Sequence, residues 1–458
     1  MGAKKLNVMS SKKKDVIFKQ FGDHISKGQI RFLMAGHLDI LEKRRQGVEF
    51  VEAKSGKSYF DCFSSAGSFN TGRCNAKVIS AMCNQADHSD MGTTTLLSKP
   101  KIEFARKLSN LSPGDLNKVV FTGSGADSIE AAIKLAKGAT GRDEVISMEL
   151  AYHGHSGLSL SAGGKAYYKE LFEPLMPGCR LVPFNNLSAI RSIASERTAA
   201  ILLEPVQGEG GIHVATDEYL QGLRTLCDEL GIILIFDEIQ TGFGRTGKIW
   251  FSEHSGVVPD IMCLAKSIGG GVCPNGAIVY RDTEQLVGYV NKNPFFHTSS
   301  GGGNDISCQV SSKVIDVLLE RKLWQNAEKM GLRLKEGLTR IMEKNASIIK
   351  EIRGKGLMIG IEYTQEFMGV LMADCLSNSG IFAAYSGNAP QVMRFMLPLT
   401  VTETQVDEFL TRFKKAVSIQ RFYLFFLLPL SKIPIVRKWL NEDDILIPVN
   451  VFLRKFGM

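Results

Sequence analysis

The strongest constraint on the fold lies between residues 119 and 280, where short unbroken apolar runs take turns with stretches of helical pattern. In order they read VVFT, SIEAAIKLAKGA, EVISM, AAILLEP, YLQGLRTLCDEL, IILIFDE, IMCLA and GAIVY. A strand with one face in water alternates apolar and polar residues, whereas a run without alternation, rich in Val, Ile and Leu, is buried on both faces. Strands of that kind separated by helices predict a mostly parallel sheet covered on both sides, that is, a three-layer α/β/α domain.

A chain of 458 residues is too long for one core, since single hydrophobic cores stop growing at roughly 250–300 residues. Helical patterns continue from about 306 to 344, after which RGKGLMIGIEY and VMRFMLPLT read as strands of a smaller α+β lobe. VEFVEAKSGKSYFDCF, near residue 50, reads as a hairpin of that same lobe. The expected division is an N-terminal segment 1–65 belonging to the small domain, a large α/β domain 66–325, the small α+β domain 326–417 and an apolar, basic extension 418–458. No internal repeat or low-complexity linker marks the boundaries.

Lys plus Arg exceed Asp plus Glu by 55 to 47, and part of the excess is local, at Lys4, Lys5, Lys12, Lys13 and Lys14. No aromatic-interleaved basic stripe accompanies it, so it reads as a solvated tail and not as a nucleic-acid footprint. The nine cysteines include no Cys-x-x-Cys pair and no Cys/His cluster at zinc spacing, which predicts reduced thiols, a cytoplasmic setting and no metal site. No apolar targeting segment is visible near the N-terminus.

Four motifs fall at strand ends, where open parallel sheets bind ligands. In FTGSGADSIEAAIKLA a strand runs through Gly123, Ser124 and Gly125 into a helix, a start that offers backbone N–H groups and a positive dipole to a phosphate. Alone, it reads first as an ordinary glycine-rich turn. In AYHGHSG, Tyr152 can stack on a flat heteroaromatic ring or fill a core; His153 and His155 would share a face if on a strand, but no third ligand makes them a metal pair. IILIFDEIQTGFGRTG ends a buried strand in Asp237, a carboxylate that needs a cation or donor to meet it. PDIMCLAKSIGGG ends another in Lys266, which suits an amine that forms a Schiff base. Amine, carboxylate, ring and phosphate nest together are what pyridoxal 5′-phosphate (PLP) chemistry requires.

Two rival readings of GFGRTG fail on chemistry. As a dinucleotide fingerprint (Gly242, Gly244, Gly247) it lacks both a following helix and a ribose-binding acid about 20 residues on. As a P-loop around Lys248 it places Ile249 where a Mg²⁺-binding Ser or Thr belongs, and the order relative to ILIFDE is reversed.

EPVQGEGG at 204–211, DEIQTGFGRTG at 237–247, AKSIGGG around Lys266, RGKGLMIGIE from Arg353 and RFMLPLTVTETQ from Arg394 closely resemble the class III (ω-type) aminotransferases of PLP fold type I, over roughly residues 40–417. The resemblance implies Lys266 as Schiff-base lysine and proton shuttle and Asp237 as partner of the pyridine nitrogen. It further implies Gln240 at the phenolic oxygen, Tyr152 stacked on the ring and Ser124 and Gly125 at the phosphate, with Ala126, His153 and Glu204 also in the cofactor site. It implies a homodimer with shared sites, in which Ser300 reaches the phosphate of the other subunit. Arg394 would bind a substrate carboxylate and Glu209 would pair with it when the substrate has none there. Ala126 stands where the family usually has a hydroxyl, Asp305 where Pro is common, and GRCNA at 72–76 replaces a Gly-His-x-x-Pro type string.

The resulting expectation is a ping-pong transamination between an amino donor and a carbonyl acceptor. The alternatives are an aminomutase or racemase, since YHGHS also resembles the glutamate-semialdehyde aminomutases, and a catalytically silent PLP- or partner-binding protein. Beyond residue 418 the run Phe422–Leu430 is too short to span a bilayer, which takes about 20 residues. With the basic and aromatic residues after it, the tail is expected either to pack on the dimer or to meet a membrane surface, or to shape access for a lipophilic carbonyl such as a long-chain aldehyde.

Overall fold

The computed structural model describes residues 11–431 apart from 36–37 and 93–95. The basic residues through position 10 and the tail from 432 onward, including most of the expected interface residues, lie outside the described residues.

The alternating region forms a seven-stranded sheet in the spatial order Leu116–Thr122, Gly276–Arg281, Ile261–Leu264, Ile233–Asp237, Thr198–Leu203, Glu144–Met148, Cys179–Val182. Six strands run parallel, and Gly276–Arg281 is antiparallel to both neighbours. The central runs Thr198–Leu203, Ile233–Asp237 and Ile261–Leu264 are buried at every position, as their lack of alternation requires. Successive residues of one strand serve different layers. Ile233 and Ile235 pack with Ile129, Ile133 and Ala136 of the helix Gly125–Thr140. Leu234 and Phe236 pack with Tyr219, Leu220 and Leu223 of the helix Asp217–Leu230. Two helices on opposite faces of one sheet make the three layers.

Each helix starts and stops where its sequence says. Ser124 caps Gly125–Thr140 through its Oγ on the Asp127 N–H, and Gly141 closes it at φ 70°. Thr216 caps Asp217–Leu230, Asp217 and Glu218 occupy the positive first turn, and Gly231 at φ 62° ends it.

The hairpin near residue 50 consists of Glu49–Glu52 and Ser58–Asp61, and the latter pairs in parallel with Ile381–Phe382 from the far end of the chain. The second small sheet is ordered Ile349–Lys355, Met358–Tyr363, Val392–Phe395, Ala384–Tyr385. RGKGLMIGIEY is therefore not one strand. It turns at Gly356, which has φ 54°, into an antiparallel hairpin. Helices Leu323–Glu343 and Glu403–Ser431 pack with this sheet, Phe409 and Phe413 flanking Phe395 at 5.5 and 5.7 Å. The last helix crosses residue 418 without a break, burying Tyr423 and Leu424 and donating from Gln420 to the Met368 carbonyl. No described helix is long and apolar enough to cross a membrane. The glycines of GFGRTG lie in turns followed only by the four-residue helix Ser252–Ser255, so no dinucleotide-type helix start exists there.

The small sheet is locked to the large one by Arg245, which is fully buried and donates to the carbonyls of Leu357 and Leu397 and to Asn70 Oδ1. Desolvation lowers its pKa to about 9. The packing around it is backbone on backbone. A Cβ at Gly356 would sit 2.5 Å from the Thr246 carbonyl carbon, and one at Gly331, inside a helix, 2.1 Å from the Gly356 oxygen. A helical Gly→Ala change ordinarily stabilises by about 1 kcal/mol, whereas overpacking costs about 1–3 kcal/mol. Gly331→Ala is therefore expected to lower the thermal unfolding temperature with helix content unchanged; a rise would show that the helix does not rest on the Gly356 turn.

Candidate active site

Five strands end on one side of the sheet and bring the sequence-derived residues into a pocket of about 540 Å³ lined by Ser124, Gly125, Ala126, Tyr152, His153, Glu204, Glu209, Asp237, Gln240 and Lys266. Lys266 follows the strand Ile261–Leu264 and holds φ 50°, a left-handed conformation that costs a side-chain-bearing residue about 1–2 kcal/mol. Burial lowers its pKa, while the charges of Asp237, Glu209 and Glu204 pull it back up. The desolvation is the larger effect, so the amine is poised closer to its neutral, nucleophilic form than a surface lysine.

Asp237 is 5% exposed. One carboxylate oxygen accepts from the Ile239 N–H at 3.1 Å, and the other lies 2.8 Å from His153 Nδ1. His153 is buried, and its Nε2 has no hydrogen-bond partner among the described residues. The two histidines of AYHGHSG do not share a face: the strand stops at Met148, and the loop turns His153 inward and His155 outward. Glu204 accepts from the N–H groups of Tyr152 and Gly208, both at 2.9 Å. Burial raises its pKa to about 7, with Asp237 adding to the rise and His153 opposing it.

At the phosphate end the side chains of Ser124 and Asp127 are engaged locally, Ser124 Oγ accepting from the Asp127 N–H and Asp127 Oδ2 from the Gly123 N–H at 2.7 Å. The N–H groups of Gly125 and Ala126, in the first turn of a 16-residue helix, have no intrahelical acceptor and lie beside the pocket. Gln240 donates to the Ala66 carbonyl and leaves Oε1 unpartnered and buried. A Cβ at Gly208 would lie 1.9 Å from that oxygen, so the glycine of EPVQGEGG exists to let Gln240 in.

Glu209 and Arg394 meet at 2.5 Å. Arg394 is 3% exposed, and Glu209 also accepts from the Gly387 N–H at 2.8 Å, so loop 204–211, strand Val392–Phe395 and the 387 turn converge beside the pocket. Ser300 is exposed and does not line the pocket of its own chain; its neighbour Ser299 is the closer, with its hydroxyl beside Gly123.

One wall had no signal in the sequence. Ser65, Ser68 and Phe69 line the pocket from a turn in which Ser64, Ser65 and Ala66 all adopt φ near 50°. Asp61 Oδ1 holds that left-handed turn through the Phe63 and Ser64 N–H groups, while its Oδ2 pairs with Arg73. A string of small residues carries no periodicity from which such a turn could be read.

The pocket fits PLP on its own features: a desolvated amine, a buried carboxylate with one side free of backbone donors, a helix start with unengaged N–H groups, and two unpartnered polar atoms, His153 Nε2 and Gln240 Oε1.

Residues 34–417 match the family model of the class III aminotransferases. An uncharacterized aminotransferase of Archaeoglobus fulgidus is 37% identical over 391 residues, covering 85% of this chain and 91% of the relative. The ornithine aminotransferase of Toxoplasma gondii superposes with a TM-score of 0.83 at 26% identity, over 91% of this chain and 97% of that one. An (S)-enantioselective ω-transaminase of Thermomicrobium roseum gives 0.82 at 28% identity, over 90% of this chain and all of that one, 100%. With the fold, the pocket and these similarities agreeing, the chain belongs to the class III aminotransferases and is a PLP-dependent transaminase acting on small-molecule amino donors and carbonyl acceptors.

Proposed function

We propose that transfer of the amino group runs through Lys266 and Asp237, with substrate choice set by Glu209 and Arg394. The observation that carries this reading is the convergence of a desolvated lysine and a buried, histidine-held carboxylate in one pocket. Bound PLP supplies a carbon that condenses with amines and a pyridine ring that accepts electrons released at the substrate Cα. Asp237 would hold the proton on the pyridine nitrogen of PLP, because a nearby anion raises a cation's pKa. His153 donates to Asp237 and fixes its orientation. Lys266, the desolvated amine that would hold PLP, would be free once a substrate amine has taken its place to accept and return the proton at the substrate Cα. Tyr152 would cover the ring of PLP, Gln240 would meet its phenolic oxygen and Ser124, Gly125 and Ala126 would hold its phosphate, while Glu204 fixes the Tyr152 and Gly208 backbone. The same residues act in reverse when the carbonyl acceptor follows.

Arg394 and Glu209 let one pocket accept two partners. With a carboxylate-bearing partner Arg394 binds the carboxylate; with a simple amine Glu209 neutralises the guanidinium, whose burial without a counter-charge would be costly. The exposed Ser300 supports a homodimer in which each copy supplies that hydroxyl to the other's phosphate.

Lys266→Ala is expected to lower turnover of glutamate, alanine or simple amines by at least about 10²–10⁴-fold, the worth of a positioned proton-transfer group. Near wild-type turnover would remove Lys266 from the mechanism.

Arg394→Ala is expected to raise KM for an amino-acid partner about 10- to 100-fold, the value of a hydrogen bond to a charged group, and to change KM for a simple amine far less. Equal effects on both partners would sink the switch.

Ser300→Ala is expected to weaken PLP retention about 2- to 10-fold, the scale of one hydrogen bond, on top of the hydroxyl already missing at Ala126. Equilibrium dialysis measures it, and a fully active monomer in sedimentation would contradict the shared site.

A further inference from the structure

A second cavity, of about 770 Å³, adjoins the catalytic pocket, and His155 lines both. Between them runs a ladder of rings: Tyr152 to His155 at 5.2 Å, His155 to Tyr168 at 4.9 Å and Tyr168 to Tyr167 at 5.2 Å. Beyond the ladder the walls are aliphatic and aromatic, from Leu158, Leu160, Leu171, Phe172, Leu175 and Met176. Three large rim side chains are open to solvent, Tyr167 at 70%, Leu171 at 89% and Phe172 at 64%, a density of exposed apolar surface that marks a binding site.

Charge narrows what binds there. The nearby Lys165 ammonium donates to the Gly387 carbonyl, and that of Lys169 to the carbonyls of Ser161 and Gly163, so both are turned onto backbone, while the Lys137 ammonium rests 3.9 Å from Met176 Sδ in the cavity wall. The one carboxylate in the lining, Glu130, accepts from Ser156 Oγ and from the N–H groups of Leu158 and Ser159. A second carboxylate at the far end of a substrate would meet Glu130, already engaged by three donors, and would have to draw Lys137 off the Met176 thioether to find a counter-charge. An uncharged apolar chain meets none of these costs.

We infer that the groove holds the apolar tail of one substrate, a long-chain aliphatic aldehyde or the amine derived from it, whose reacting end lies at Lys266 and whose chain passes His155. The inference rests on the proposed reaction at Lys266 and adds the substrate class. No group of the tail reacts; its burial places and retains the carbonyl.

The test uses the holoenzyme, with the best donor among glutamate, alanine and isopropylamine, and the acceptors butanal, hexanal, octanal, decanal and dodecanal. In the wild-type protein kcat/KM is expected to rise about two- to fourfold per added methylene once the chain passes the ring ladder, as burial of CH₂ groups predicts. The double variant Leu171→Ser/Phe172→Ser, altered only at exposed positions, is expected to flatten the rise and leave butanal unchanged. Dodecanol, which carries no reactive group, is expected to bind the wild-type protein in calorimetry at least tenfold more tightly than the double variant, on the scale of two lost apolar contacts.

Butanal used with no dependence on chain length overturns the groove and leaves the reaction at Lys266 standing. A rise that survives in the double variant places the tail elsewhere and also overturns it. So does a preference for diaminoalkanes over monoamines of equal length, which would assign Glu130 a cationic tail end. If the double variant turns a dimer into a monomer and loses butanal turnover as well, the rim is a contact between copies and the inference falls. If no carbonyl compound of any length is turned over, the Lys266 reading has failed, and dodecanol binding alone decides: loss of binding in the variant upholds the groove, and equal binding overturns it.

Discussion

Everything at the catalytic end of this protein depends on a charge placed at the tip of a buried strand. The side chains of Ile233 through Phe236 pack into apolar clusters on both faces, and the next residue is Asp237. Taking a carboxylate out of water without partners is costly, and a strand tip can offer only its own loop and whatever neighbouring strand ends present. The fold answers with the Ile239 N–H, with His153 from the adjoining loop and with Lys266 from the next strand. The same low dielectric that makes Asp237 need partners depresses the lysine and raises Glu204. Structural requirement and chemical capacity are one electrostatic problem with one solution.

How much of this could be read beforehand follows from the kind of signal each part leaves. The buried strands announce themselves because burial on both faces removes polar residues, and Asp237 and Lys266 stand out because they break that rule at a strand end. Strand direction leaves no such mark: Gly276–Arg281 is as apolar as its parallel neighbours, and its antiparallel course is set by a short connection from Lys266. Cys179–Val182 at the sheet edge is partly exposed, and at four residues with Arg180 among them it is too short to register. RGKGLMIGIEY looks like one strand because the hairpin turn is made by Gly356, one of three glycines in the run. The left-handed turn at Ser64–Ala66 was illegible, since it is held by Asp61 and Arg73 through contacts that no local pattern encodes.

Three buried guanidiniums divide the work of joining the two sheets. Arg245 binds carbonyls of both small-sheet connections. Arg353 reaches from the hairpin to the Gly211 carbonyl and pairs with Glu362. Arg394 meets Glu209. The first two hold loop 204–214 and the turn at Gly356 in fixed positions; the third sits on the same scaffold, paired with a carboxylate from that loop.

The parallel pairing of Ser58–Asp61 with Ile381–Phe382 has a consequence for how the protein is made. The turn that walls the pocket hangs from the first of these strands, and Lys57 bonds to the Ser377 carbonyl across a separation of 320 residues. At about 5–20 residues per second of translation, the N-terminal strand waits on the order of tens of seconds for its mate. During that interval the large sheet can form on its own, presenting Lys266 and Asp237 at an open edge. Completion of the vessel that encloses the cofactor is thus deferred until Phe382 has left the ribosome, long after the strands that carry Asp237 and Lys266.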